Sequence, residues 1–222
     1  MRTRFAAMAL ICTLGLVSVV TTTWARQAAS GDMKSMQAAK TESQSPAALR
    51  EAMRKLWSDH VFWTREYVIA AVDGSADAQA AAARLLKNQE DIGAAIVPYY
   101  GKGAGDKLTD LLKQHIMIAV DVVAAAKASD QAKFKVADAK WKQNAADIAA
   151  FLSQANSNWP SQAMTDAMNM HLATTTREVV ARLQKNYDED VRAFDAVYDH
   201  ILRMADVLAD GIVKQFPARF AN

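Results

Sequence analysis

From Pro46 onward the apolar residues of this chain recur at intervals of three and four, and no stretch alternates with the period of two that a half-buried strand requires. That pattern excludes a sheet-based fold and predicts six amphipathic helices. The first spans about 46–73, with Leu49, Met53, Leu56, His60, Trp63 and Tyr67 along one stripe. After "DGSAD", with Ser75 as the expected cap, a second runs over roughly 76–97 and carries Leu85, Asn88, Ile92, Ala95 and Tyr99 on one face. "PYYGKGAG" reads as a clear break and its "GKGAG" as a linker, because no strand precedes it to make a phosphate-binding loop. A third helix, about 105–128, shows Leu108, Leu111, His115, Ile118 and Val122. The fourth, near 130–154, shows Phe134, Trp141, Asn144, Ile148 and Phe151. "NSNWP" separates it from a fifth, about 161–186, with Met164, Met168, His171 and Thr175, and a sixth covers about 188–214. The expected fold is all-α: three antiparallel helical hairpins in one domain over 46–222.

The N-terminal segment reads differently. "MRTR", the 16-residue apolar run "FAAMALICTLGLVSVV" and the small residues Thr23 and Ala25 form the three parts of a secretory signal peptide over 1–25, cleaved after Ala25. Residues 26–45, "RQAASGDMKSMQAAKTESQS", lack apolar periodicity and read as a flexible linker. The expectation is a periplasmic or secreted protein with no stable membrane span after signal removal. Cleavage also changes the electrostatics. The chain has 26 Lys+Arg and 24 Asp+Glu; Arg2 and Arg4 leave with the signal, so 24 bases face 24 acids. A neutral mature chain gives no compositional ground for binding nucleic acid. The single cysteine, Cys12, leaves too, which excludes disulfides and thiolate chemistry.

Three histidines on apolar faces are nearly equally spaced: His60, His115 and His171, 55 and 56 residues apart. The stretches "EDIGAAIVPYYG", "ADIAAFLSQANSNWP" and "ADVLADGIVKQFP" close three units of that length, the signature of an internal repeat. In an antiparallel pair, equal counts from the turn put residues at one height, here roughly 21 Å along at about 1.5 Å per residue. Counting places Asp91 beside His60 and Asp147 beside His115. Asp206 falls beside His171 if the last bend lies at 187–189. Asn88 and Asn144 stand one turn before their aspartates, where the third unit has Arg203. His200 matches Leu85 and Trp141 in offset and takes no role in this scheme.

The first expectation for these residues is structural: three His–Asp pairs forming a polar core that fixes hairpin register. A second is a divalent-metal site, possibly enzymatic, with His60, His115 and His171 as ligands and the aspartates behind them. Against it stands the absence of any tight helical ligand pattern such as His-x₃-His. A third is a small-ligand pocket walled by Trp57, Trp63 and Tyr67 together with the polar pairs. Thr64 and Thr175 read as hydroxyls bonding the preceding turn, Arg65 and Glu66 as a solvated face, and "DED" at 188–190 as acids favouring a helix N-terminus.

The stretches "LWSDHVFWTREY", "LLKNQEDIGAAIVPYYG", "LTDLLKQHIMIA", "WKQNAADIAAFLSQANSNWP" and "MADVLADGIVKQFP" resemble an uncharacterised bacterial family of exported helical proteins, in matching order across most of 56–217. Some members are labelled glycosyltransferase or acetylglutamate kinase. Those chemistries use a Rossmann-like sheet or a phosphate cradle, and this sequence has neither, so the resemblance implies the helical architecture and supplies no catalytic residues. The expectation is an exported, non-catalytic binding or interaction protein. The alternatives are a metal-dependent protein and an envelope adaptor working through an exposed aromatic patch.

Overall fold

The computed structural model describes residues 45–221, so the expected signal peptide and most of the expected linker lie outside the described residues. Six helices follow one another: α1 (Pro46–Asp73), α2 (Ala78–Tyr100), α3 (Lys102–Lys127), α4 (Gln131–Ala155), α5 (Ser161–Leu183) and α6 (Tyr187–Gln215). A single 3₁₀ turn, Pro217–Arg219, ends the chain, and no strand occurs among the described residues. None of the described helices is long and apolar enough to cross a membrane. Side-chain oxygens cap three starts: Ser45 accepts from the Ala48 amide, Asp130 from Lys133 and Asn186 from Glu189. Ser75 does not take the capping role expected of it. Its amide donates to the Ala70 carbonyl in the turn after α1, and α2 starts at Ala78 behind Asp77, whose side chain makes no capping bond.

Each helix packs on its neighbours in sequence, and α6 packs on α1, closing the six into a ring. The connections are short, which makes neighbours antiparallel. At one end the final turns of the odd helices meet: Lys127 of α3 donates to the Ala71 carbonyl of α1, and Arg182 of α5 pairs with Asp73. At the other end the even helices latch together. Asn156 donates to the Tyr100 hydroxyl, and Tyr100 in turn donates to Gln215.

The odd helices supply residues at matched offsets from their histidines. Seven before stand Met53, Leu108 and Met164; three before stand Trp57, Leu112 and Met168; all are buried in the main core. Eight after stand Val68, Val123 and Val179, buried together as a separate small cluster. The histidine level divides these two apolar layers.

The "GKGAG" segment departs from its expected role. α2 continues through Pro98 to Tyr100, and Gly101 alone turns the chain, at φ 80°. Gly105 lies inside α3, where a Cβ would stand 2.5 Å from Val97 Cγ2 and 2.8 Å from the Gly93 carbonyl oxygen. The glycines therefore allow α2 and α3 to approach closely rather than linking them loosely. The last bend also moves: it lies at 184–186, not 187–189.

Candidate functional site

The three periodic histidines do meet. His171 lies between the other two, with ring centroids 5.5 Å from His60 and 6.0 Å from His115. A fourth ring joins them: His200 stacks on His171 at 6.2 Å and 22°. The odd helices carry three of these rings to the middle of the bundle, and α6 adds the fourth. All are buried, His60 and His115 at 2 % exposure, His171 at 5 % and His200 at 9 %.

Their partners are neutral. Asn144 donates through Nδ2 to the Leu111 carbonyl at 3.1 Å, which turns its Oδ1 toward His115 Nδ1 at 2.7 Å. On the other side Trp141 Nε1–H donates to His115 Nε2 at 3.1 Å. These contacts fix one tautomer: Nδ1–H donates to Asn144 and Nε2 accepts from Trp141. His60 Nδ1 lies 3.3 Å from the Gln89 amide nitrogen, which also donates to the Leu85 carbonyl and to Asn88 Oδ1. With two hydrogens and three acceptors, Gln89 spares little for His60, and the His60 contact is the longest. A common device recurs four residues before each periodic histidine. The carbonyls of Leu56, Leu111 and Ala167 accept from Asn88, Asn144 and His200 Nε2 respectively.

Burial without a countercharge disfavours the imidazolium. Desolvation, then the positive charge His115 would carry, lowers His60 to about 3. Desolvation lowers His115 to about 4 against the opposing Asn144 bond. His171 falls well below the usual imidazole range through burial and its three neighbouring rings, and His200 falls through burial and Arg203.

The expected His–Asp pairs are not formed. Asp91 is held by Lys87 at 2.6 Å on its own helix, and Asp147 is exposed and accepts from Gln143. Asp206 takes a bidentate bond from Arg54, at 2.7 and 2.6 Å. The reason is angular. Asp147 follows the buried Asn144 by three residues, about 60° around a helix of 3.6 residues per turn, and this carries its side chain off the inner face. In the third unit the bend at 184–186 brings His200, not Asp206, level with His171.

No protein-family model matches the chain, and comparison with curated proteins and with solved structures returns no match.

The converged rings are not arranged as a ligand set. A metal needs a ring lone pair, and the only one His115 offers, on Nε2, is taken by the Trp141 indole. Among the described residues no group of three His, Cys, Asp or Glu side chains is placed to hold a metal ion. The aromatic pocket is likewise divided. Trp57 packs edge-on to His60 in the core, Trp63 sits between Phe62 and the Arg84 guanidinium, and Tyr67 joins the valine layer. Between the histidine and valine layers lies an apolar cavity of about 40 Å³, bounded by Thr64, Ala119, Thr175 and the three valines. A drug-sized ligand needs roughly 300 Å³ or more. Thr64 donates to the His60 carbonyl as expected, whereas the buried Thr175 hydroxyl has no partner among the described residues.

Arg65 is not on a solvated face. It donates to Glu178 at 2.6 Å and to Asp190 at 2.9 Å, both nearly inaccessible, and lies 4.6 Å over the Phe194 ring. Burial pushes the Glu178 carboxyl up to about 7, against the lowering effect of Arg65 and with Asp190 adding to the rise. Asp188, Glu189 and Asp190 do occupy the first turn of α6, but Asp190 also belongs to this network. Trp141 and His200 were findable from sequence: they share one offset in their units, and both face the periodic histidine. Gln89 carries no such signal beyond adjacency to Asn88.

Proposed function

We propose that this chain is an exported, non-catalytic binding or interaction protein, built as a threefold repeat of helical hairpins, whose polar core maintains the fold while its outer surface meets a partner. The observation that carries the reading is that the buried ring of His115 has both nitrogens taken by neutral protein groups, which leaves it no chemistry to offer a substrate. The repeat is supported by the matched offsets of the three helices around the histidine level.

A second observation favours an envelope adaptor as the form of this role. Along the α1–α6 seam Phe62, Val191 and Tyr198 are exposed, and Phe194 lies half-buried beneath Arg65. Ser58 Oγ donates to the Tyr198 hydroxyl at 3.3 Å, so Phe62, one turn along α1, stands near the height of Phe194 on α6. Clustered apolar side chains of this kind mark contact surfaces. A photo-crosslinking residue at position 62 is expected to capture one specific envelope protein, with capture lost in Tyr198→Ser. Recovery of uncrosslinked monomer alone contradicts the reading. Export predicts a mature N-terminus at Arg26 in the periplasmic or secreted fraction, and a chain retaining Met1 inside the cell contradicts it.

A further inference from the structure

Three buried imidazoles, those of His60, His115 and His200, converge on a fourth, His171, and no carboxylate is among their hydrogen-bond partners. We propose that this imidazole column is an acid-responsive latch, closing the six-helix bundle while the rings are neutral and releasing it when they take up protons.

The geometry carries this. The other three ring centroids lie 5.5, 6.0 and 6.2 Å from that of His171, so a charge on His171 arises beside all three. At that spacing and an effective dielectric of about 20, repulsion cuts the affinity for a second proton on the order of a hundredfold. The groups facing the column are neutral on α2 (Asn88, Gln89) and on α4 (Trp141, Asn144). On α1, α3, α5 and α6 they are the other histidines. Arg203 on α6 adds positive charge near His200. The buried acids at the α5–α6 end, Glu178 and Asp190, are occupied by Arg65 and Arg182. Among the described residues, an open groove between α5 and α6 offers a route for protons: His200 is among its lining residues, with Asp166, Asp199 and Arg203, and neither aspartate bonds an imidazole.

The sign follows from linkage. Unfolded imidazoles titrate near 6.5, and the folded ones are held lower, to about 3 at His60 and about 4 at His115. The open chain therefore binds more protons below that pH, and stability is full above about 6.5 and falls as pH drops. Glu178 acts in the opposite sense: its folded pKa, about 7, exceeds its unfolded value, so it binds a proton on folding in the same window. One carboxylate against four rings leaves a net uptake of about two protons on opening near pH 6.

The test is the unfolding equilibrium of the full chain in urea, from pH 7.5 to 5.0, without any partner. The unfolding constant is expected to rise about a hundredfold per pH unit between pH 6.5 and 5.5. In His171→Gln the slope should drop by about one proton, to roughly tenfold per unit, and in Glu178→Gln it should steepen by about one. A constant that does not change across this window, or a His171→Gln slope equal to that of the unsubstituted chain, overturns the proposal. If His171→Gln does not fold at pH 7.5, the unsubstituted chain and Glu178→Gln still decide it. Since no partner enters the experiment, failure of the adaptor reading leaves the result standing.

Discussion

At the scale of single residues, the polar core rests on a few neutral hydrogen bonds whose loss cannot be repaired by water. Trp141→Phe removes the donor to His115 Nε2 and leaves that acceptor buried and unpaired. We expect it to cost about 1–3 kcal/mol in a urea denaturation curve. Asp147→Ala, by contrast, removes an exposed carboxylate that touches Gln143 on its own helix, and should fall within about 0.5 kcal/mol of the parent. The reverse ordering would mean that the acids and not the neutral groups hold the rings. Arg65→Met strips the cation from two buried acids and should cost about 3–5 kcal/mol. That loss should be greater at pH 8 than at pH 6, because protonated Glu178 needs Arg65 less. The histidines themselves were legible, since a charged-capable residue on an apolar stripe announces a buried polar group. Their partners were not. Counting from a turn gives height along a helix pair but leaves the angle around each helix open, and the difference between Asn144 and Asp147 is angular.

At the scale of elements, helix identity was legible throughout because the 3.6-residue period persists over more than twenty residues each time, and every end fell within three residues of the observed one. Two of the three largest differences flank Gly101, where the expected linker is helix. "GKGAG" has the composition of a linker, yet Gly105 is a packing residue, and only the facing Gly93 would have revealed it. These contacts make a sharp prediction. A Cβ on Gly93 would lie 1.9 Å from Thr109 Oγ1 and 2.7 Å from the Gly105 carbonyl oxygen; on Gly211 it would lie 1.9 Å from Trp159 Nε1. Gly93→Ala and Gly211→Ala should each destabilise by about 1–3 kcal/mol or more, since backbone and a buried indole must move. Gly103→Ala meets nothing within 4 Å and should stabilise α3 by about 0.5–1 kcal/mol. Equal melting temperatures for the three variants would remove the close-approach account of α2–α3 packing and of the α4–α5 connection against α6.

At the scale of the whole molecule, the ring of helices explains why residues more than fifty positions apart form one column. α1, α3 and α5 run the same way, their ends tied by Lys127 to Ala71 and Arg182 to Asp73, and this brings the histidine level of each to one height. The near-equal spacing of the three histidines pointed to this convergence, but whether the units closed or lay in an open layer depended on α6 meeting α1, a contact spread over many ordinary side chains. Closure also accounts for the missed fourth ring: with the last bend at 184–186, α6 slides by about a turn and places His200 against His171. Above about pH 6.5 the column should be silent; at pH 5 each deeply buried ring is expected to withhold about 2 kcal/mol from folding relative to an ordinary histidine.

The most direct test of the central claim, that the interior rings are neutral and enclosed and that His115 is committed to protein partners, is long-range nitrogen–proton NMR of the histidine side chains in the folded protein from pH 7.5 to 6.0, with and without added zinc. The account predicts that His115 keeps its proton on Nδ1 and that His60, His115 and His171 neither titrate in this range nor shift with zinc. A ring that titrates near 6.5 in the folded state, or one whose Nε2 responds to the metal, would contradict it.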